Sequence, residues 1–178
     1  MEQFDILNKN GEPTGITANK GTKLKDRQYY LGVHAYIYNS SNEFLLQQRA
    51  FSKAFLPGSW DIHMGHVVAG ETSREGIIRE IQEEIGLSFP QNDVHFVGRV
   101  FWESYHHIID IYFLKIDFNI SELSLQSEEV IGTKVISITD MLTLVSNMHY
   151  RPNEYREIVM NEINKLNIAD KNMKLSKL

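Results

Sequence analysis

The chain reads as an α/β or α+β domain built around a mixed β-sheet, and three observations lead there. Strand-like runs rich in β-branched and aromatic residues are interspersed with stretches of helical periodicity. No Pro/Gly/Ser linker, internal repeat or low-complexity segment divides the 178 residues, a length that suits one domain with a sizeable core. Apolar residues at 42% and charged residues at 23% give the balance of an ordinary globular protein. Strands mixed with helices over this length pack as layers about one sheet. We place the domain at residues 1–167, followed by a basic tail, IADKNMKLSKL (168–178), expected to fray.

Each element has a local cause. NKNGEPTG (8–15) is a turn between short extended pieces. VHAYIY (33–38) and EFLLQQR (43–49) are strands joined through NSSN as a hairpin. KAFLPGSWDIHMGH (53–66) is loop-rich, with Pro57 and Gly58 marking a turn. VHFVGRVFW (94–102), IIDIYFLKI (108–116) and TKVISI (133–138) supply further strands. Thr72 to Glu75 spells the capping box T-x-x-E, which starts a helix at Ser73, and Gly86 with Leu87 behind it forms a left-handed stop. A second helix follows Thr139 and a third runs from about Pro152 to Leu166.

Charge and composition narrow the function. A net charge of −5 and a pI near 5.8 do not suit a nucleic-acid backbone as partner, and an anionic substrate would need local cations or bound metal. The absence of cysteine removes disulfides, thiolate metal sites and a cysteine nucleophile together, and fits a reducing compartment. The opening MEQFDILNKNGEPTG has no apolar core of signal-peptide length and no later run approaches a membrane span, so no membrane partner and a cytoplasmic location are expected.

The helix after Thr72 holds the sharpest signal. With about 100° per residue, Glu84 lies about 40° to one side of Glu80 and Glu83 about 60° to the other. Ile77, Ile78, Ile81 and Ile85 gather on a separate face. Like charges at this spacing repel, and a pair between Glu75 and Arg79 relieves only part of that. A solvated acidic face is the ordinary fate of such residues. It accounts poorly for three carboxylates that each worsen the field of the others, whereas hard oxygen ligands at this density suit Mg²⁺ or Mn²⁺.

The wider spacing is more specific. Gly65, five residues, Glu71, seven residues, then Arg79-Glu80-Ile81-x-Glu83-Glu84-x-Gly86-Leu87 follows G-x5-E-x7-R-E-U-x-E-E-x-G-U, with U aliphatic, at every defined position. On these residues the chain resembles the Nudix hydrolase family. The resemblance implies a loop–helix–loop packed on a mixed sheet with helices on both sides, an α/β/α sandwich. It implies a substrate in which a nucleoside diphosphate is linked to another group X. It also implies that Glu80, Glu83 and Glu84 bind divalent ions with the Gly65 carbonyl, that Arg79 orients the glutamates, and that Glu71 supports the loop. Metal would neutralise a pyrophosphate and acidify the attacking water, and a carboxylate would take the proton. Family members differ in which glutamate does so. SEEV (127–130) offers Glu128 and Glu129 as candidates outside the box, with a plain surface loop equally open.

NKNGEPTG, FLLQQRAFSK (44–53), LPGSW (56–60) and GHV also resemble the branch that contains isopentenyl-diphosphate isomerase. There Arg49 and Lys53 match residues that hold the diphosphate; a strand-end Arg and a surface Lys are the plain alternative. That enzyme has a cysteine before its Gly-His, whereas this chain has Met64, a thioether that cannot shuttle a proton. The box is also whole here, where the isomerases blur it. Hydrolysis of a small-molecule diphosphate is therefore the expectation, ahead of isomerase-like activity or a non-catalytic nucleotide sensor. A homodimer is common among relatives.

The remaining residues are read more plainly. His66 matches an isomerase metal ligand or is a loop residue bonded to backbone, and His34 and His63 are structural. His106 and Asp110 would share one face of a strand, at a sheet position or lining a pocket. Trp60, Trp102 and Tyr105 could stack on a ring or serve the core. Gly76 stands one turn before Glu80, where Ala would favour the helix by about 1 kcal/mol, which leaves room for metal or substrate as an explanation.

Overall fold

The computed structural model describes the backbone of residues 2–175 and the side chains of residues 2–168. An antiparallel hairpin, β1 (Gln3–Leu7) and β2 (Pro13–Asn19), precedes the main sheet, with the expected turn between them. The hairpin packs Phe4 and Ile6 against Tyr30 at the start of the sheet.

β3 (Tyr30–Tyr38) is the sheet's central strand. Along one edge it runs parallel to β8 (His107–Lys115), which pairs antiparallel with β7 (Val94–Trp102). Its other edge meets β4 (Phe44–Arg49) only at Ile37↔Leu45 and Tyr38↔Phe44, beside the turn. Beyond that point the two strands part, and a pair of short strands fills the gap. β5 (Trp60–Asp61) pairs with Gln47 and Gln48 of β4, and β6 (His63–His66) pairs antiparallel with Gly32–Ala35 of β3. β9 (Val130–Ile136) runs along the outer edge of β4. The passage expected to be loop-rich therefore carries two strands that cross the split at the fully buried Ile62.

Period-two alternation assigns β3 to both layers. Val33, Ala35 and Ile37 pack with Ile77, Ile81 and Ile85 of α1 (Ser73–Ile85). Tyr36 and Tyr38 face α2 (Ile138–Ser146) and α3 (Asn153–Leu175), where Met141, Val145, Tyr155, Val159 and Ile163 close the second core. The result is the expected α/β/α sandwich. α1 has both of its expected ends: the Thr72–Glu75 capping box is complete, and Gly86 sits at φ 69°.

Three boundaries differ from the sequence reading. Ser137 caps α2, accepting from Asp140 N, so β9 stops at Ile136 and the helix begins at Ile138 rather than after Thr139. α3 continues to Leu175, past the expected end at Leu166; residues 176–178 of the tail lie outside the described residues. His106 has φ 53° in the turn before β8, so it does not share a strand face with Asp110, whose carboxylate pairs with Arg99 of β7 at 2.6 and 2.8 Å.

A buried ion pair joins the segment leading into α3 to the strands in the split. Arg151 Nη2 donates to both oxygens of Asp61 at 2.9 Å, while Nη1 donates to the Tyr155 hydroxyl at 2.6 Å. The two residues are 2% and 1% exposed. Removing one partner leaves the other charge uncompensated in a low dielectric, which costs about 3–5 kcal/mol. Arg151→Ala should therefore lower the unfolding temperature by roughly 10 °C, read by thermal denaturation at neutral pH. A shift of only a degree or two would show that Asp61 finds another partner.

Candidate active site

Ile77, Ile81 and Ile85 anchor α1 to the sheet, and this fixes where its carboxylates point. Glu80 lies directly over β6. A Cβ added to Gly65 would come within 2.0 Å of Glu80 Cδ, so only glycine lets that side chain cross the strand. Glu80 Oε1 accepts from the backbone N–H of His66 at 3.2 Å and from Arg79 Nη1 at 3.1 Å.

Arg79 ties the preceding loop to the helix. Its Nε and Nη2 donate to the two oxygens of Glu71 at 2.8 and 3.2 Å, and Nη2 also donates to the His66 carbonyl at 2.8 Å. Nη1 reaches Glu83 at 3.0 Å as well as Glu80. Glu75 is not its partner, contrary to the i,i+4 expectation: that carboxylate is spent on the capping box through Thr72 N and Oγ1. Glu71 Oε2 accepts from Val68 N at 3.2 Å, which holds the loop's turn.

Glu84 receives nothing from Arg79. It is 4% exposed and its Oε2 has no hydrogen-bond partner among the described residues. Burial, followed by the neighbouring Glu80, raises its pKa to about 8; Gln47 and Arg49 oppose the shift without overcoming it. Burial also raises Glu80, although Arg79 pulls the other way. An unpartnered, buried carboxylate beside a second one is a donor set short of positive charge, and hard cations fit it. Among the described residues no three His, Asp or Glu side chains are already arranged around one metal position. The Arg79 guanidinium bridges Glu80 and Glu83 in that role.

These carboxylates line a cavity of about 670 Å³ walled by β6, the start of β3, the loop after β4 and the segment before β9. Arg49 and Lys53 also line it. Arg49 Nε donates to Phe55 O at 2.9 Å, and Lys53 makes a close ion pair with Glu129. Glu129 lines the cavity, whereas Glu128 is exposed outside it and accepts from Ser127 Oγ.

Several residues fall differently from the sequence reading. Gly76 leaves no room for a ligand: an added Cβ would lie 3.1 Å from Val67 Cγ2 and 3.4 Å from its Cα, so the glycine serves close packing of helix on loop. Trp60 is outside the cavity under Lys134 Nζ, while Trp102 and Tyr105 line it with ring centroids 4.6 Å apart. His63 is fully buried, and burial lowers its pKa to about 3. His66 lines the cavity and meets the ring of His107, Nε2 to Nε2, at 2.8 Å; burial lowers His66 to about 3 as well. His107 escaped the sequence reading, as did Phe4 and Lys20 of the N-terminal hairpin region. The alternation that begins at His107 puts Ile109, not Asp110, on the cavity side.

A carboxylate-bearing helix and two cations thus face one cleft on an α/β/α sandwich with a split sheet. The NUDIX domain profile matches residues 28–157, and the chain belongs to the Nudix family. An uncharacterized Nudix hydrolase of Listeria monocytogenes is 33% identical over 156 residues, covering 85% of this chain and 89% of that protein. Isopentenyl-diphosphate Delta-isomerase of Saccharopolyspora erythraea is 35% identical over 89 residues, but these span 49% of this chain and 46% of the isomerase. The Deinococcus radiodurans protein DR0079 shares the fold with a TM-score of 0.69 over 90% of this chain and 98% of its own, at 19% identity. No helix among the described residues is long and apolar enough to cross a membrane.

Glu84 makes the site pH-sensitive in a defined direction. Its carboxyl keeps a proton more tightly in the folded chain than at the ordinary value of 4.5, so between that value and about 8 the folded state binds the excess proton. Stability must then fall as pH rises through that window. In chelator, unfolding of the wild type should shift to lower temperature from about pH 5 to about pH 8.5. Glu84→Gln should flatten that slope and stabilise the chain by ~1–4 kcal/mol at the upper end. An unchanged slope in the variant would locate the excess proton elsewhere.

Proposed function

We propose that the protein is a divalent-metal-dependent hydrolase that cleaves a pyrophosphate bond in a nucleoside-diphosphate-linked or related diphosphate metabolite. The observation that carries this reading is the buried, unpartnered Glu84 oxygen beside Glu80 in a cavity that also holds Arg49 and Lys53. Glu80, Glu83 and Glu84, with the Gly65 carbonyl, are the residues that would hold Mg²⁺ or Mn²⁺. Such an ion, when bound, supplies neutralisation of phosphate charge and acidifies a coordinated water.

The chain's own groups do the rest. Arg79 positions the carboxylates from behind by fixing Glu71, Glu80 and Glu83 at once. Arg49 and Lys53 offer the diphosphate positive charge from the opposite wall. Lys53 is held by Glu129, so an arriving phosphate exchanges one anionic partner for another and frees the Glu129 carboxylate. Glu83, half exposed beside the cavity, and Glu129 are the carboxylates placed to take the proton from the attacking water. Met64 lines the cavity where the isomerase branch needs an ionisable thiol, which weighs against isomerisation.

Phosphate or nucleotide release should be measured on diphosphate-linked metabolites, isopentenyl diphosphate included, with Mg²⁺, with Mn²⁺ and with chelator. Cleavage should require metal, and Glu83→Gln should lower kcat by about 10²–10⁴-fold with an unchanged circular-dichroism spectrum. Full activity in that variant would overturn the site assignment. Ligand binding without turnover would instead favour a sensor.

A further inference from the structure

His34 lies on the β3 wall of the same cavity. Its Nδ1 lies 2.8 Å from the Tyr155 hydroxyl and 3.1 Å from Arg151 Nη1. A guanidinium only donates, so Nδ1 must be the accepting nitrogen and the ring's hydrogen resides on Nε2. Arg151 cannot turn away to release this arrangement, because Nη2 is held by both oxygens of Asp61 and Nη1 also by Tyr155. Burial and the Arg151 charge push the pKa of His34 well below its ordinary value, so the ring stays neutral.

Nε2 has a different environment. It has no hydrogen-bond partner among the described residues, yet it is not sealed in as both ring nitrogens of His63 are, and the residue lines the cavity. Met64 is paired with His34 across β3 and β6, and the lining it shares with Ile109 and Trp102 also holds His66, His107 and Arg49, whose charges would act on the ring. The ring is thus a neutral donor of fixed tautomer, held from behind by the Arg151–Asp61 pair and flanked by Met64.

We infer that His34 is a specificity-determining residue whose Nε2–H donates to a neutral acceptor on the group X attached to the diphosphate. That acceptor is a carbonyl or hydroxyl oxygen or a ring nitrogen. Phosphate oxygens have Arg49, Lys53 and the acidic helix's cation to satisfy them, and a neutral donor adds little there. The same donor disfavours a hydrocarbon X, since binding one would bury the N–H unpaired. The inference rests on the proposed hydrolase site and narrows its substrate to diphosphates carrying a polar X.

Binding separates this inference from turnover. Titration calorimetry with Ca²⁺ in place of Mg²⁺, to hold the diphosphate without turnover, would compare UDP-glucose, ADP-ribose, diadenosine tetraphosphate, geranyl diphosphate and inorganic pyrophosphate. The wild type should bind at least one polar-X compound more tightly than geranyl diphosphate. His34→Leu should weaken that compound by about 10–100-fold while leaving geranyl diphosphate and pyrophosphate within about twofold. His34→Gln, whose amide N–H can stand in for Nε2–H, should recover most of the loss. Tyr155→Phe perturbs the same buried network while keeping the Arg151–His34 contact, so it should alter stability without altering the order of affinities. A uniform loss across all five ligands in His34→Leu, a wild-type preference for geranyl diphosphate, or no polar-X binding would each overturn the inference. Absence of metal-dependent cleavage alongside the predicted binding pattern would sink the hydrolase reading alone.

Discussion

The parting of β3 from β4 is the constraint on which the rest of the structure depends. Two residue pairs beside the turn are all they share, so the facing edges of both strands would otherwise carry unpaired backbone groups inside the protein. The segment from Trp60 to His66 satisfies both edges, giving its first two residues to β4 and its last four to β3. In doing so it delivers Asp61 to one layer of the sandwich and Gly65 to the other. Asp61 receives Arg151 from the segment leading into α3, and Gly65 receives Glu80 from α1. Seven residues thus set the spacing of both helical layers against the sheet and hold the cavity open between them.

The acidic helix is stable only because its other face is so well anchored. Arg79 compensates Glu71, Glu80 and Glu83 together, and Glu84 is left over. Against that deficit stand Ile77, Ile81 and Ile85, all fully buried, each contributing about 1.5–3 kcal/mol from apolar burial. Their sum exceeds the cost of one buried, protonatable carboxylate, which settles at a few kcal/mol by taking up a proton rather than staying charged. The helix can therefore carry an excess of carboxylate before any ligand arrives, and the proton on Glu84 is the form in which that excess is held.

What the sequence made legible is what local spacing fixes. Glu80, Glu83 and Glu84 could be placed because helix geometry alone sets their angles, and Thr72 and Gly86 marked the ends of α1. Spacing failed wherever a contact crossed the chain. Gly76 looked like space because a sequence shows its missing side chain but not Val67 pressing on it. His106 and Asp110 were put on one strand face because alternation was counted from a residue that belongs to the preceding left-handed turn; the ladder starts at His107. The His34–Arg151–Asp61 network had no signal at all, since its members are 117 and 90 positions apart. The continuation of α3 past Leu166 was missed for a related reason, as a polar run of helix-compatible residues reads equally well as a tail.

The two walls of the cavity obey opposite electrostatic rules, and the split sheet is what keeps them apart. On the α1 side carboxylates exceed the cations available, so the energy falls when a positive charge is added. On the β3 side Arg151 is paired with Asp61 behind the wall, and its charge with burial keeps the cavity-lining ring of His34 neutral. Had Arg151 itself faced the cavity, it would have competed with Arg49 and Lys53 for the same phosphate, and one site would have held it in two registers. A neutral donor cannot compete in that way, because a phosphate gains far more from the charged wall. In the proposed reaction this asymmetry gives the substrate a direction: the diphosphate settles against the helix and the remainder of the molecule lies toward β3.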